Sequence, residues 1–460
     1  MRLHQKIGLV GLGLVVGVSL PFSAAAEKEI PTNPLPVDEL RAFSEVFGRI
    51  KSDYVEPVSD KKLITEAISG MLSGLDPHSA YLDADAFKEL QVGTHGEFGG
   101  LGIEVGMEDG GIKVISPIED TPAFRAGIMS GDLIIKLDET IVKGLTLNDA
   151  VRRMRGKPGS KIVLTILRKN EAKPLVITLV RAVIKVQSVK SKLIEPGYGF
   201  IRITQFQEQT AENLVSALEA LIKQNKAPLQ GLVLDLRNDP GGLLNGAVGV
   251  SAAFLPKDAL VVYTQGRTDD AKMRLTASPQ NYLRGDVKTD YIDNLPASVK
   301  NVPMVVLVNS GSASASEIVA GALQDHKRAV IMGTQTFGKG SVQTVLPLGN
   351  NTAIKLTTAR YYTPSGRSIQ ATGIVPDIIV EDGMNVPTSL RLREADLDKH
   401  LTNDGPANAL PADSRKSIRL APETNGEGVP VTPVEFGSKG DFQLNQAMNL
   451  LKGMRILQGS

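Results

Sequence analysis

The stretch of sequence that decides the fold is NVPMVVLVNSGSASASEIVAG, which occupies residues 301–321. Its segment 303–308 is almost entirely apolar, as expected for a strand that is buried on both faces of a sheet. A loop of small residues follows, and apolar residues then recur at helical spacing over 314–324. The stretch therefore predicts a buried strand, a short loop and a helix, which is the repeating unit of an α/β fold.

The same alternation of strands and helices extends on both sides of this stretch. We expect an α/β core over residues 187–380, in which strands and helices alternate and a β-hairpin follows. The predicted elements are strands at 200–203 and 231–236, a sharp turn at 238–242, helices at 210–224 and 243–254, a strand at 329–332, and a hairpin of strands 342–346 and 352–358.

Residues 96–186 show a different pattern, in which glycines are dense and short β-like runs are interrupted by two short helices. The predicted strands are 101–105, 112–115, 132–137, 161–168 and 175–180, and the predicted helices are 123–126 and 147–154. This region resembles a PDZ domain, which is a small β-barrel with two helices. The motifs that carry the resemblance are GLGI at 100–103, SP at 116–117, TPA at 121–123, AGI at 126–128 and GDLI at 131–134.

The PDZ resemblance implies a binding site for the C-terminus of a peptide. Gly100, Leu101, Gly102 and Ile103 would form the loop whose amides bind the terminal carboxylate, while a strand edge accepts the peptide as an added strand. Arg155 matches a PDZ arginine that couples peptide binding to the active site. The alternative for the domain is a small barrel with glycine-rich turns and no ligand, and the alternative for Arg155 is a surface ion pair.

The two ends of the chain are predicted to lie outside these domains. Residues 1–26 combine a basic start, a fourteen-residue apolar run and the small-residue site Ala24-Ala25-Ala26, as in a cleavable secretory signal peptide. Residues 27–95 predict an N-terminal helical region, and residues 381–460 a tail that ends in an amphipathic helix at 441–457. That last helix either packs on its own core or forms an oligomer contact. We expect a homo-oligomer through the terminal helices.

Composition excludes several classes of function. The chain has no cysteine, so thiol catalysis, disulfide frameworks and zinc knuckles are excluded. Lys plus Arg is 51 and Asp plus Glu is 50, which gives no electrostatic argument for nucleic acid as a partner. None of the five histidines has metal-ligand spacing to another, and we expect no metal and no cofactor.

Two loops of the predicted core have the residues that nucleophilic catalysis requires. Ser314 stands at a strand-to-helix junction, where the following amides and the helix dipole favour negative charge, although Ser314-x-x-Glu317 also matches a capping box. Lys339 lies in GTQTFGKGS at 333–341, which fails as a phosphate-binding loop because Gly340 replaces the hydroxyl residue. Burial there would lower the pKa of Lys339 toward that of a general base. His326, at the far end of the predicted helix, is a poor alternative.

Together these motifs resemble the C-terminal processing peptidases, also called tail-specific proteases. The resemblance is carried by GSASASEIVAG at 311–321, TFGKG at 336–340, DLRNDPGG at 235–242, YYTPSG at 361–366 and GIVPD at 373–377. It implies that Ser314 is the nucleophile, Lys339 the base and Gln343 the residue that orients the lysine. The oxyanion would be bound by the amide of Ala315 and by one amide of the Gly241-Gly242 turn.

The resemblance implies an exported serine endopeptidase that recognises protein C-termini through its PDZ domain. Its partners would be protein substrates in a bacterial periplasm, with cell-wall hydrolases as one class, and a periplasmic adaptor protein would be a further partner. The alternative from another class is a PDZ scaffold with an inactive protease core. The presence of Ser314, Lys339 and Gln343 favours the enzyme.

Overall fold

The computed structural model describes residues 35–381 except for 109, 119, 170, 172, 186 and 285–288, and also residues 393–403, 418–420 and 436–457. The predicted signal peptide and much of the predicted tail lie outside the described residues. The chain forms two compact units, one that ends at Glu66 and one that begins at Ala67. Among the described residues, no helix combines the length and the apolar character needed to cross a membrane.

The first unit is helical, as the spacing of its apolar residues predicts. It contains α1 (Val37–Asp53) and the first turns of α2 (Asp60–Ser73). Lys51 and Asp60 form an ion pair of 2.7 Å within this unit. The apolar stripe of α1 is exposed, and its members are Leu40, Phe43, Val46 and Ile50. A contact between copies of the chain through this stripe stays a prediction.

The second unit begins with the rest of α2 and contains the region that resembles a PDZ domain. Its first elements are β1 (Ala80–Leu82), α3 (Ala84–His95), β2 (Glu97–Gly100), β3 (Ile103–Glu108), β4 (Gly111–Pro117), α4 (Pro122–Arg125), β5 (Leu133–Leu137), β6 (Thr140–Ile141), α5 (Leu147–Met154), β7 (Lys161–Leu167), β8 (Leu175–Val180) and β9 (Ala182–Lys185).

Strands β3 to β8 form one antiparallel sheet in the order β3-β4-β5-β7-β8, with β6 paired to β5, while β2 pairs with β9. The side chains that face α4 and α5 are fully buried, because inward residues alternate along each strand. They include Ile112, Val114, Ile134, Leu164 and Ile166. Both helices begin at a threonine whose hydroxyl accepts a backbone N–H, Thr121 for α4 and Thr146 for α5.

The protease-like part of the chain follows, and it has the strand–helix alternation that the sequence predicts. Its elements are β10 (Val189–Glu195), β11 (Tyr198–Ile203), α6 (Thr210–Asn225), β12 (Gly231–Asp235), α7 (Leu244–Phe254), β13 (Leu260–Gly266), β14 (Arg274–Thr276), α8 (Pro279–Tyr282), β15 (Met304–Val308), α9 (Ala315–Asp325), β16 (Val330–Gly333), β17 (Ser341–Pro347), β18 (Ala353–Tyr362), β19 (Ile378–Val380), β20 (Ile418–Leu420) and α10 (Phe442–Leu457).

Seven strands form the central sheet in the order β10-β11-β12-β15-β16-β19-β20, parallel from β11 onward. Leu232 and Leu234 of β12 pack in the cluster that contains α6, α7 and α9. Val233, between them, packs in the cluster that contains α10. The strand is therefore buried on both faces, as its unbroken apolar run predicts, and its carboxyl end directs the following turn toward the candidate site.

A second, antiparallel sheet contains the predicted hairpin, β17 with β18. Strand β18 also pairs with β13 and with the short strand β1, in which Ala80 lies opposite Lys355. Of the strands in the central and the antiparallel sheet, the sequence did not predict β1, β10, β13, β14, β19 or β20, and in the PDZ region it did not predict β2, β6 or β9. Strand β1 is held by its pairing with a residue far along the chain, which no local pattern records.

Helix α10 is anchored to the core by Arg237, which is 1% exposed. Its guanidinium binds the carboxylates of Asp235 at 2.8 Å and Asp441 at 2.6 Å, and donates to Gln443 Oε1 at 2.9 Å. Burial acts to lower the pKa of Arg237, but the bonds to Asp441 and Asp235 raise it. Of the two alternatives for this helix, the structure shows packing on its own core.

Candidate active site

Ser314 lies at the junction of β15 and α9, between two serines whose hydroxyls donate to backbone carbonyl oxygens. The neighbouring Ser312 and Ser316 are fully buried. Ser312 Oγ donates to Leu236 O at 2.8 Å, and Ser316 Oγ donates to Asp239 O at 2.9 Å. Ser314 keeps 6% exposure and contacts Tyr361. Burial raises the pKa of Tyr361 to about 12, and its hydrogen bond with Ser314 opposes that rise.

The backbone of Ser314 is strained, with φ at 54° and ψ at −111°. A residue with a side chain in such a sparsely populated region costs about 1–3 kcal/mol, so its surroundings must hold it there. The carbonyl of Asp239 supports the loop on both sides, since it accepts from Ala313 N at 3.0 Å and from Ser316 Oγ at 2.9 Å. The strained residue immediately precedes α9, whose first amides point in one direction.

Glu317 connects the serine loop to the lysine loop. Its fully buried carboxyl group accepts from Ser314 N at 2.8 Å and Lys339 N at 2.9 Å on one oxygen, and from Gly338 N at 2.7 Å and Thr336 Oγ1 at 2.5 Å on the other. Burial raises the pKa of Glu317 to about 7, and these four hydrogen bonds oppose the rise. The sequence predicted the bond to Ser314 as part of a capping box but missed the other three.

Lys339 is half-buried as a residue, and its Nζ donates to Gln343 Oε1 and, at 3.4 Å, to Ser341 O. Burial lowers its pKa to about 8, while the nearby carboxylates act to raise it and Lys355 acts to lower it. The carboxylates are those of Glu394, Glu317 and Asp76. A lysine with this pKa is neutral in a large fraction of molecules near pH 8, as a general base requires.

Gln343 lies on β17, and the structure brings it into contact with Lys339 as the family resemblance implies. Its Nε2 donates to Ser341 Oγ at 3.0 Å and to Thr357 Oγ1 at 3.2 Å. The sequence identified Gln343 but gave no signal for Thr357, because these two residues are neighbours only through the pairing of β17 with β18.

The Gly241-Gly242 turn lies against the serine. A Cβ atom on Gly241, whose φ is 96°, would stand 2.8 Å from Ala315 N and 2.9 Å from Ser314 Cβ, so only glycine fits. The amide of Gly241 already donates to Asp239 Oδ1 at 2.9 Å. Within the part of the chain that the structure describes, the amides of Gly242 and Ala315 donate to no acceptor. They are the pair left free to bind an oxyanion.

Asp239 adds a carboxyl group to this turn. It is completely buried, and its Oδ2 has no hydrogen-bond partner among the described residues. Burial raises its pKa to about 7, and the bond from Gly241 N opposes the rise. The state of this group near neutral pH therefore decides whether a negative charge lies beside the candidate oxyanion donors.

His326 is at the opposite end of α9 from Ser314, and its Nε2 lies 2.7 Å from Leu260 O. It follows the last helical residue, Asp325, so the length of the helix separates it from the serine. This placement agrees with the expectation that His326 is a helix-end residue.

Of the peptide-binding residues predicted in the PDZ region, Ile103 begins the edge strand of the larger sheet, Gly100 ends β2, and Arg155 follows α5. Strand β3, which begins at Ile103, pairs with β4 on one side, and no strand of the described residues pairs with its other side. Gly102 has φ at 79°, and a Cβ atom there would stand 2.2 Å from Thr121 Cβ, so glycine is required. Arg155 lies 4.8 Å from the centre of the Phe98 ring, and its buried Nε has no partner among the described residues.

Comparison with known proteins places this arrangement in a family. Residues 197–380 match the family described as Peptidase family S41, residues 99–179 match the PDZ domain, and residues 21–86 match the Activating protease CtpB N-terminal domain. A carboxy-terminal-processing protease of Bartonella bacilliformis is 46% identical over 418 residues, covering 90% of this chain and 88% of that protein. The chain belongs to the carboxy-terminal processing proteases.

Other carboxy-terminal processing proteases are also similar to this chain. The protease CtpB of Bacillus subtilis is 34% identical over 380 residues, covering 81% of this chain and 75% of that protein. A solved structure described as a photosystem II D1 C-terminal processing protease is 29% identical, covers 78% of this chain and 91% of its own, and has a TM-score of 0.42. The predicted family, fold class and enzyme class are confirmed: this is a carboxy-terminal processing serine protease with a PDZ domain.

Proposed function

We propose that this protease cleaves peptide bonds with a Ser–Lys dyad, in which Ser314 is the nucleophile, Lys339 the general base and Gln343 the residue that orients the lysine. The observation that supports this most is the shared oxygen of Glu317, which accepts from the amides of Ser314 and Lys339 at 2.8 and 2.9 Å. Those two bonds hold the loop that contains Ser314 beside the loop that contains the low-pKa amine of Lys339.

The proposed reaction proceeds through an acyl-enzyme. Ser314 Oγ bonds to the substrate carbonyl carbon while its proton passes to the neutral Lys339 amine, and the electron pair of the carbonyl moves to its oxygen. The amides of Ala315 and Gly242 stabilise that oxyanion. When the carbon–nitrogen bond breaks, Lys339 returns the proton to the leaving amine. Water then attacks the ester by the same route and releases the new C-terminus.

The PDZ region would select the substrate by its C-terminus. An extended peptide can pair with the open edge of β3, and its terminal carboxylate would meet the amides of residues 100–103. The proposal that the domain binds a free carboxylate is supported by Gly102, which has a left-handed backbone conformation in the turn that precedes β3. Such a turn can direct successive amides toward an anion.

We also propose that the chain is exported to the periplasm by residues 1–26 and that it acts there on proteins such as cell-wall hydrolases, with an adaptor protein as a further partner. The exposed stripe of α1 supports a homo-oligomer formed through the N-terminal helices. Because the buried side of α10 faces its own sheet, that helix would contribute to an oligomer only through its exposed end.

Digestion of an unfolded protein, followed by mass spectrometry of the new C-termini, tests the dyad. Ser314→Ala and Lys339→Ala should each abolish cleavage, while the matched control Ser310→Ala, in the same loop, and His326→Ala should cleave normally. Loss of activity in His326→Ala equal to that in Ser314→Ala would show that the lysine is not the base. An intact chain that binds peptides with a free C-terminus but cleaves none would favour the scaffold alternative.

A further inference from the structure

A chain of hydrogen bonds continues behind Gln343 to a segment that lies far away in sequence. Gln343 Nε2 donates to Thr357 Oγ1 at 3.2 Å, and Thr357 Oγ1 donates to Asp76 Oδ1 at 3.1 Å. Asp76 belongs to the run LDPHSAYL at 75–82, which immediately precedes and includes β1. The lysine amine is thus linked through two side chains to a carboxylate outside the central sheet.

The carboxylate of Asp76 is held rigidly by its own segment. It is 4% exposed, and it accepts from His78 N at 2.8 Å, from Ser79 N at 2.9 Å and from Ser79 Oγ at 2.7 Å. Although burial acts to raise the pKa of Asp76, the hydrogen bonds from Ser79, His78 and Thr357 lower it below its ordinary value. Asp76 is therefore ionised at neutral pH and can only accept hydrogen bonds.

Thr357 is held in place from the same side. Its backbone N donates to Ser79 Oγ at 3.1 Å, and the pairing of β1 with β18 places the segment of Asp76 beside it. Because Asp76 can only accept, the single hydroxyl proton of Thr357 is directed to Asp76. The oxygen of Thr357 is then left to accept the N–H of Gln343.

This polarity determines which end of the Gln343 amide faces the lysine. An amide side chain can be rotated by half a turn with little change in shape, so only its hydrogen-bond partners fix its orientation. With its NH₂ group bound to Thr357 and Ser341, Gln343 must present its oxygen to Lys339 Nζ. The reversed amide would present N–H donors to the lysine and leave the amine with the carbonyl oxygen of Ser341, at 3.4 Å, as its acceptor.

We propose that Asp76 and Thr357 are positioning residues that fix the orientation of the Gln343 amide and through it the direction of the Lys339 amine. This inference rests on the proposed function of Lys339 as the base. The other ionisable groups around the amine are Glu394, Glu317, Lys355 and His78, which binds Glu394 at 2.8 Å. They change the charge near the lysine, whereas the amide of Gln343 is bound by Ser341 Oγ and by Thr357 Oγ1, and it is the Thr357 hydroxyl that is bound in turn to a carboxylate.

Replacement of the Thr357 hydroxyl tests the proposal. Thr357→Val keeps the shape of the side chain but neither donates to Asp76 nor accepts from Gln343, and it should lower kcat by roughly ten- to a hundredfold with KM little changed. Thr357→Ser restores the hydroxyl and should restore most of kcat. The matched control is Thr358→Val, which removes a threonine hydroxyl from the next position of β18, where it pairs with Thr344 at 2.7 Å.

A second measurement follows the lysine itself. In the background of Ser314→Ala, the reactivity of the Lys339 amine toward an acylating reagent is measured against pH by mass spectrometry, with and without Thr357→Val. A change in the reactivity or apparent pKa of Lys339, absent in Thr358→Val, is expected. If Thr357→Val does not fold, Thr357→Ala gives the same comparison without a methyl group facing the carboxylate.

The outcomes separate this inference from the proposed function. If Ser314→Ala or Lys339→Ala cleaves like the unmodified protein, the dyad itself is wrong. If both are inactive while Thr357→Val keeps full kcat and unchanged Lys339 reactivity, only the positioning role of Asp76 and Thr357 is overturned. Failure of Thr357→Ser to recover activity would also overturn it, since the hydroxyl would then not be the feature that matters.

Discussion

Ser314 and Lys339 are joined through a single oxygen atom, because the backbone amides of both residues donate to Oε2 of Glu317, at 2.8 and 2.9 Å. One residue begins α9 and the other lies in the loop before β17, so neither element alone could hold them together. The buried carboxyl group of Glu317 adds to a direct backbone hydrogen bond between the two loops, from Phe337 N to Ser312 O at 3.0 Å. These bonds hold the strained backbone of Ser314 next to the loop that contains Lys339.

Replacement of Glu317 should therefore damage stability and activity together. Glu317→Gln has one acceptor oxygen where the structure uses two, so its NH₂ group would face two N–H or O–H donors. Each buried donor left without an acceptor costs about 1–3 kcal/mol, and we expect a lower urea midpoint and at least a tenfold loss of kcat. Glu219→Gln, on the exposed side of α6, is the control and should change neither. A fully active, equally stable Glu317→Gln would contradict the role of Glu317.

The lowered pKa of Lys339 predicts how the proteolytic activity depends on pH. Because burial lowers this pKa to about 8 from 10.5, activity should rise with pH through an apparent pKa near 8. Asp76→Asn removes a negative charge that acts to raise the pKa of Lys339, so the rising limb should move to lower pH. A profile that is flat from about pH 6 to 10 would argue against a titrating lysine base.

The same shift predicts how the stability of the fold depends on pH. Below pH 8 Lys339 is charged in the folded and the unfolded state, and the folded state bears the cost of burying that charge. Between pH 8 and 10.5 the unfolded state binds more protons than the folded state, so the free energy of unfolding rises with pH. Lys339→Met should then be inactive but more resistant to urea at pH 7, with the gain disappearing toward pH 10.5. Lys223→Met, on an exposed position of α6, should show no such trend.

Asp239 should show the behaviour of a buried acid. Its pKa is raised to about 7 from 3.8, chiefly by burial, so the folded state binds more protons than the unfolded state between these values and stability falls as pH rises through them. Asp239→Asn keeps an acceptor for Gly241 N without the charge and should remove this trend, which urea unfolding at pH 5 and 8 measures. Asp239→Ala loses the acceptor and should also lower kcat, because the turn of Gly241 and Gly242 is no longer held.

Much of the fold could be predicted because its strongest signals are local. The apolar runs of β12 and β15 and the small-residue loop at Ser314 predict a buried sheet with a reactive junction. The short strand β1 could not be predicted, since Ala80 is extended only because it pairs with Lys355.

Part of the candidate site could also be predicted from the sequence. The motifs indicate Ser314, Lys339 and Gln343, whereas Thr357 and Asp76 are 281 positions apart and meet only in the folded chain. Glu317 was visible in sequence as a capping residue, but its bonds to Thr336, Gly338 and Lys339 depend on the packing of a second loop. No periodicity or spacing records such contacts.

The PDZ region should make cleavage depend on the C-terminal carboxylate of the substrate. If peptide binding at residues 100–103 favours an active arrangement, a coupling free energy of about 1–3 kcal/mol would change activity roughly five- to 150-fold. The measurement is cleavage of one protein substrate with its C-terminus free or amidated. Arg155→Ala, which removes the guanidinium over Phe98, should slow cleavage of the free form without unfolding the protein. Arg152→Ala is the control, because Arg152 is exposed and forms an ion pair of 3.2 Å with Asp149, which also lies in α5. Equal rates on both forms by the intact protein would show that the domain does not read the substrate C-terminus.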